Sequence, residues 1–454
     1  LIKALSMFCM KRRSILTCTV SSLLLAGCGG GSDSSSDVPA SIVSPNVNGT
    51  PSLASVSTYQ TSSMSKDIEE CSKAFLVNSS CDLSVIKPLG VNQVNVTIEQ
   101  IQERLVVSHQ WMADSFIEAL KEINDQDLLN LFKPLNSIVI SYDIRPSFYT
   151  TSTASMYIDP KYVWRNKSEW DSIHKQEDYR NGFQTEFKFD KAQRYVHEAT
   201  NDYISYSNTY TPLRNESREA NHIAPGLFRL LSHELAHAND FLQEHDLTQI
   251  PSYGYITNYI HPLKKLNHEL IERDPLTSNL LNKAAQIAFQ GESMTNEIRR
   301  LTGEVAGDAF EADKAAAFYS YSSPAEDVAM LFEAYMMYKK YRALSDVAFL
   351  SIPQIEDYSC NDWKVQWGQR SRLSDNDVQD RAVFVASGIL GKSELTIRAE
   401  LSSLPAAPEV LSVGQGWCSS QKFMDVNPEA RSVISAASMT GFSENTRYLE
   451  DLEN

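Results

Sequence analysis

Apolar residues in segment 97–123 recur at helical spacing, at Ile98, Ile101, Leu105, Val106, Met112, Phe116 and Leu120, which predicts one long amphipathic helix. A shorter helix is expected over 125–132. Segment 137–142 reads Ser-Ile-Val-Ile-Ser-Tyr and predicts a strand, and 155–158 predicts another. Residues 164–215 are polar and tyrosine-rich, with periodicity too weak to place elements. The helical pattern returns at Gly226 and persists over 226–242, 256–273, 280–289, 294–301, 304–319 and 324–342. Two more helices are expected over 377–390 and 392–401. Residues 405–425 read as loop, and the last fifteen residues read as a frayed terminus. The fold class implied is α+β, a small sheet preceding a helix-rich region. No repeat appears at a period of about 20–50 residues.

The N-terminal pattern is of another kind. Lys11, Arg12 and Arg13 precede a short uncharged apolar run, residues 14–25. That run is shorter than the roughly 20 residues a membrane-crossing helix needs, and it fits the apolar region of an export signal. It ends in Leu25-Ala26-Gly27-Cys28, which resembles the lipobox of bacterial lipoproteins. The resemblance implies cleavage after residue 27 and a lipid on Cys28. Gly29 and Gly30 follow, with no Asp to suggest inner-membrane retention, so the expected location is the bacterial cell envelope, as an outer-membrane lipoprotein. Residues 28–66, rich in Gly, Ser, Thr and Pro, read as a flexible tether.

Charge and cysteine usage agree with export. The 454-residue chain carries −16; four basic residues and no acids leave with residues 1–27, which takes the charge to −20. Such a balance argues against a nucleic-acid partner, and it leaves membrane attachment to the lipid on Cys28. Of seven cysteines, Cys9 and Cys18 lie in the signal and Cys28 is the lipid site. Cys71, Cys81, Cys360 and Cys418 remain, which suggests two disulfides in an oxidising compartment. Three pairings are possible, and sequence proximity favours Cys71–Cys81 with Cys360–Cys418. An aromatic share of 10% supports a packed core over most of the length.

The chemistry concentrates in Ser232-His233-Glu234-Leu235-Ala236-His237-Ala238-Asn239-Asp240-Phe241. Histidines at i and i+4 share one helix face and can hold one Zn²⁺, and the intervening Glu234 reaches a water at the metal. A catalytic zinc site takes a third protein ligand. The metzincin continuation is absent, because Asp240 and Gln243 occupy its positions. The aminopeptidase-like spacing fails at Ile256. The better candidate is Glu326, in Tyr319-Ser320-Tyr321-Ser322-Ser323-Pro324-Ala325-Glu326-Asp327-Val328-Ala329. Ser323 to Glu326 also reads as a capping box with Pro at the first helical position. Glu333, two turns on, and Glu269 or Glu272 are the alternatives. His268-Glu269-Leu270-Ile271-Glu272 lacks a second histidine. Asp240 shares the face of His233 and His237, so it could orient an imidazole or simply sit solvated at the helix end. His222, His245 and His261 receive no role.

Both segments resemble gluzincin metallopeptidases, most closely the anthrax lethal factor-like group. His-Glu-x-x-His-Ala-x-Asp is that group's form of the first motif, and Tyr, a short turn, then Glu-Asp-x-Ala is its third-ligand segment. The resemblance covers about residues 226–340, with the helices near 256–301 as an insertion. It implies a zincin-like domain, Glu326 as third ligand and Tyr319 as a transition-state donor. The regions expected are signal 1–27, tether 28–66, an N-terminal α+β region 67–215, a zinc-binding catalytic region 216–345 and a C-terminal helical region 346–454. The function implied is a lipid-anchored zinc metalloendopeptidase acting on a protein or peptide, with Glu234 as general base. The substrate would lie along an edge strand, for which 155–158 is the candidate. The alternative is a surface lipoprotein that binds or adheres without catalysis, and the intact Glu234 speaks against it. Glycine-rich phosphate loops and G-x-S-x-G are absent.

Overall fold

The computed structural model describes residues 50–174, 178–184, 186–204, 217–355 and 358–418. The expected signal, Cys28, most of the tether and residues 419–454 lie outside the described residues. The described chain is mixed helix and sheet, as the fold class expected. Among the described residues no helix is long and apolar enough to cross a membrane.

The first half holds β1 (Ser57–Thr58), α1 (Ser65–Lys73), α2 (Ile98–Gln102), β2 (Leu105–Val107), α3 (Gln110–Ile123), α4 (Gln126–Asn130), β3 (Ser137–Ile140), β4 (Phe148–Thr150), β5 (Ser155–Ile158), α5 (Lys167–Ser172) and β6 (Phe189–His197). Strands β1 to β5 form one sheet in the order β1-β2-β3-β5-β4. The central three are parallel, and β1 and β4 close the edges antiparallel. Parallel strands covered on both faces carry continuous apolar runs, and the alternation then sorts side chains between two cores. Leu105, Val107, Ile138, Ile140, Met156 and Ile158 join the large core, while Val106, Val139 and Tyr157 face a second core with Ile68 of α1.

This double burial corrects the single helix expected over 97–123. Thr97 caps α2 reciprocally with Gln100, and the chain then enters β2 before α3. Leu105 and Val106 fit a helical period by coincidence. The expected substrate strand 155–158 is also corrected, since β5 lies between β3 and β4 and the edge strands of this sheet are β1 and β4. The tether is shorter than expected. Leu53 is fully buried, Val56 nearly so, and β1 pairs with β2.

The second half holds α6 (Ala220–Phe241), α7 (Glu244–Leu247), α8 (Ile256–Ile260), α9 (Leu266–Arg273), α10 (Asn279–Gln290), α11 (Gly303–Glu311), α12 (Pro324–Tyr341), β7 (Ala343–Ser351), β8 (Lys364–Arg370), α13 (Asn376–Leu390), α14 (Glu394–Glu400) and β9 (Glu409–Val410). The helix expected over 256–273 is thus two helices, and that over 304–319 is α11 followed by a short 3₁₀ turn, Phe318–Tyr321. The region from 346, expected to be helical, also carries strand. Strands β6 to β9 form an antiparallel sheet, with β6 and β7 paired over nine residues. Arg342, at φ 53°, ends α12 and turns the chain directly into β7.

A charged residue hid β7 from sequence reading. Asp346 lies fully buried in that strand between Arg194 of β6 and Arg370 of β8, at 2.8 and 2.6 Å. Paired on both sides, the carboxylate is tolerated inside. The disulfides join Cys71 to Cys81 and Cys360 to Cys418, the pairing favoured by proximity.

Leu53 tests where the packed body begins. Leu53→Ala removes a fully buried side chain and is expected to cost about 2–5 kcal/mol in urea unfolding. A change below about 0.5 kcal/mol, the range of a surface substitution, would return this segment to the tether.

Candidate functional site

Helix α6 carries His233, Glu234 and His237 in its buried half. Leu227, Leu230, Leu231, Leu235 and Ala238 give it an apolar body in the large core. It packs against α12, and it also lies against β4 and β5. Asn239 fixes its C-terminal end by donating to the Leu131 carbonyl at 2.9 Å.

Helix α12 brings Glu326. Pro324 stands at the start of the helix, and Ser323 Oγ accepts from the Glu326 N–H at 3.2 Å. The backbone of Glu326 therefore takes the cap, while its side chain turns to the histidines. A carboxylate in the first helical turn is also favoured by the helix dipole. The next residue, Asp327, is buried in an ion pair with Arg381 of α13, which holds this end of α12 in place.

The two helices bring three ligand-type side chains together. Glu326 Oε2 lies 3.0 Å from His233 Nε2 and 3.4 Å from His237 Nε2. One such atom from each residue lies within 4.8 Å of the others, and among the described residues this is the one His/Cys/Asp/Glu cluster able to hold a metal ion. The Tyr319 hydroxyl donates to Glu326 Oε1 at 2.9 Å. Glu234 is buried, and its Oε1 has no hydrogen-bond partner among the described residues. All five residues singled out for chemistry thus belong to two helices and the turn before the second.

The chain matches no protein-family model, and no curated protein or solved structure matches it either. The functional reading therefore rests on the site's own geometry.

The remaining candidates separate. Asp240 is not solvated, and among the described residues its hydrogen bonds go to Asn267 rather than to an imidazole. It is fully buried and accepts from the Asn267 N–H at 2.8 Å and from Asn267 Nδ2 at 2.5 Å, tying α6 to the start of α9. Burial raises its pKa to about 6 against those hydrogen bonds. Glu269 and Glu272 each lie 3.4 Å from Lys264 at the surface. His222 accepts from the Glu219 N–H at the start of α6, and His245 is an exposed partner of Asp246. Glu333 does not join Glu326 at the Nε2 atoms. It stands behind His233, its Oε2 3.3 Å from Nδ1. Sequence spacing placed Glu333 on the correct face of α12. Its neighbours Arg229 and Tyr195 went unremarked; Arg229 is four residues before His233 and shares its face, whereas nothing local marks Tyr195.

Charge at the site is balanced internally. Burial disfavours a charged His233, yet the Glu326 and Glu333 carboxylates outweigh it and raise the imidazole to about 9. Burial likewise pushes Glu326 up, but His237 and His233 hold it well below the usual carboxylate range. A histidine raised from 6.5 to about 9 contributes stability that is fully present below pH 6.5 and lost as pH rises through 9. The ion-free protein is therefore expected to lose melting temperature between those values, and His233→Gln to flatten the profile. A wild-type profile with no decline across that window would contradict this charge balance.

Proposed function

We propose that the chain is a zinc-dependent metallopeptidase, anchored to the bacterial envelope by a lipid on Cys28 and acting on proteins or peptides. The observation that carries the reading is the convergence of His233, His237 and Glu326 beside a buried Glu234 oxygen that lacks a hydrogen-bond partner among the described residues. Two imidazoles and one carboxylate form a donor set suited to Zn²⁺ with a coordination position left open. A buried carboxylate oxygen with nothing to bond is costly, and a base facing a reactive water accounts for it.

When bound, zinc supplies Lewis acidity that polarises a peptide carbonyl and acidifies water. Glu234 takes a proton from the attacking water and delivers it to the leaving amine. Tyr319 steadies Glu326 through its hydroxyl and is the adjacent donor for charge developing on the carbonyl oxygen. Among the described residues strand β4 has a strand neighbour on one side only, and it packs on α6, with the Tyr149 ring 6.4 Å from Phe241. An extended peptide adding to that edge would do so through main-chain hydrogen bonds.

Metal analysis of purified protein is expected to find about one zinc per chain, as a single three-ligand site requires, with little in Glu326→Ala. Full zinc in the variant would remove Glu326 from the ligand set. Glu234→Gln is expected to keep the zinc and lower cleavage of casein by about 10²–10⁴-fold. A zinc-loaded wild type that cleaves no protein or peptide would favour a binding lipoprotein instead.

A further inference from the structure

His233 has two ring nitrogens, and each faces a carboxylate. Nε2 faces Glu326, and Nδ1 faces Glu333 Oε2 at 3.3 Å. Neither Nδ1 nor Glu333 Oε2 has a hydrogen-bond partner among the described residues, so these two buried polar atoms are left to each other. Both side chains are fully buried.

Glu333 is itself held from two other elements. Its Oε1 accepts from the Tyr195 hydroxyl of β6 at 2.9 Å and lies 3.6 Å from Arg229 Nε of α6. The Arg229 guanidinium sits over the Tyr195 ring, 5.7 Å from its centre. A buried carboxylate persists only when paired and hydrogen-bonded. The arginine and tyrosine would satisfy one oxygen without any imidazole. The second oxygen lies 3.3 Å from His233 Nδ1.

An ionised carboxylate only accepts hydrogen bonds. A neutral His233 facing Glu333 therefore carries its proton on Nδ1 and leaves the Nε2 lone pair toward His237 and Glu326. The other histidine has no equivalent among the described residues, since His237 meets a carboxylate through Nε2, at Glu326. We propose that Glu333 is the positioning residue of the metal site, fixing the ring orientation and tautomer of His233, with Tyr195 and Arg229 holding Glu333 in place. The inference rests on the zinc reading and adds to it. It makes the antiparallel sheet, through Tyr195, a contributor to metal affinity although no residue of that sheet is a proposed ligand.

The test is zinc affinity, by competition with a chromophoric chelator, in wild type, Glu333→Gln and Tyr195→Phe. It is paired with long-range proton–nitrogen NMR of the histidine side chains in the zinc-loaded proteins. Glu333→Gln is expected to weaken zinc about 10–100-fold, and Tyr195→Phe to weaken it less, by about three- to tenfold. The His233 Nδ1–H resonance is expected in wild type, and shifted or lost in Glu333→Gln. A fold-only role for Glu333 would lower the melting temperature without moving that resonance. Unchanged affinity and an unchanged resonance in Glu333→Gln would overturn the inference while leaving the zinc reading intact. Absence of zinc from wild type would instead overturn the zinc reading. If Glu333→Gln does not fold, Tyr195→Phe decides, and wild-type affinity there overturns the proposed coupling.

Discussion

The burial of mutually compensating ionisable groups between α6 and α12 is the constraint on which the rest depends. His233, Glu234 and Glu333 are within 2% of full burial, and His237 is 4% exposed. Each would be costly inside on its own. Together they offset one another: Glu326 answers both imidazoles, and Glu333 answers His233 and Arg229. Such an arrangement works only if the two helices hold a fixed register, because carboxylate and imidazole must meet within about 3.5 Å.

Much of the surrounding structure serves that register. Asp327 pairs with Arg381 at the start of α12, and Asn239 ties the end of α6 to the Leu131 carbonyl. Asp240 joins α6 to α9. The first sheet supports α6 through β4 and β5, and the antiparallel sheet reaches the site through Tyr195. A catalytic assignment is thus a claim about packing as much as about the His-Glu-x-x-His string.

The sequence made the local features visible and hid those that depend on distant partners. The helix around His233 was legible because its apolar stripe and its histidine spacing share one period. The start of α12 was legible because Ser323, Pro324 and Glu326 form a cap signal. Glu326 uses its backbone N–H for the Ser323 cap, which leaves its side chain to meet the histidines. Strand β2 was lost because Leu105 and Val106 suit either period. Strand β7 was lost because Asp346 looks like a surface residue until Arg194 and Arg370 arrive from neighbouring strands. Asp240 and Glu333 were placed on their correct faces, but their tasks were set by Asn267 and by Arg229 and Tyr195, which spacing along one helix does not reveal.

The central claim is that His233, His237 and Glu326 meet around one metal ion. Anomalous diffraction at the zinc edge, from crystals of the protein grown with zinc supplied, tests it most directly. The account predicts one strong peak among the three side chains, with nitrogens at about 2.0–2.1 Å and a carboxylate oxygen at about 2.0–2.2 Å. An empty position there, or a peak held by any other set of residues, would contradict it.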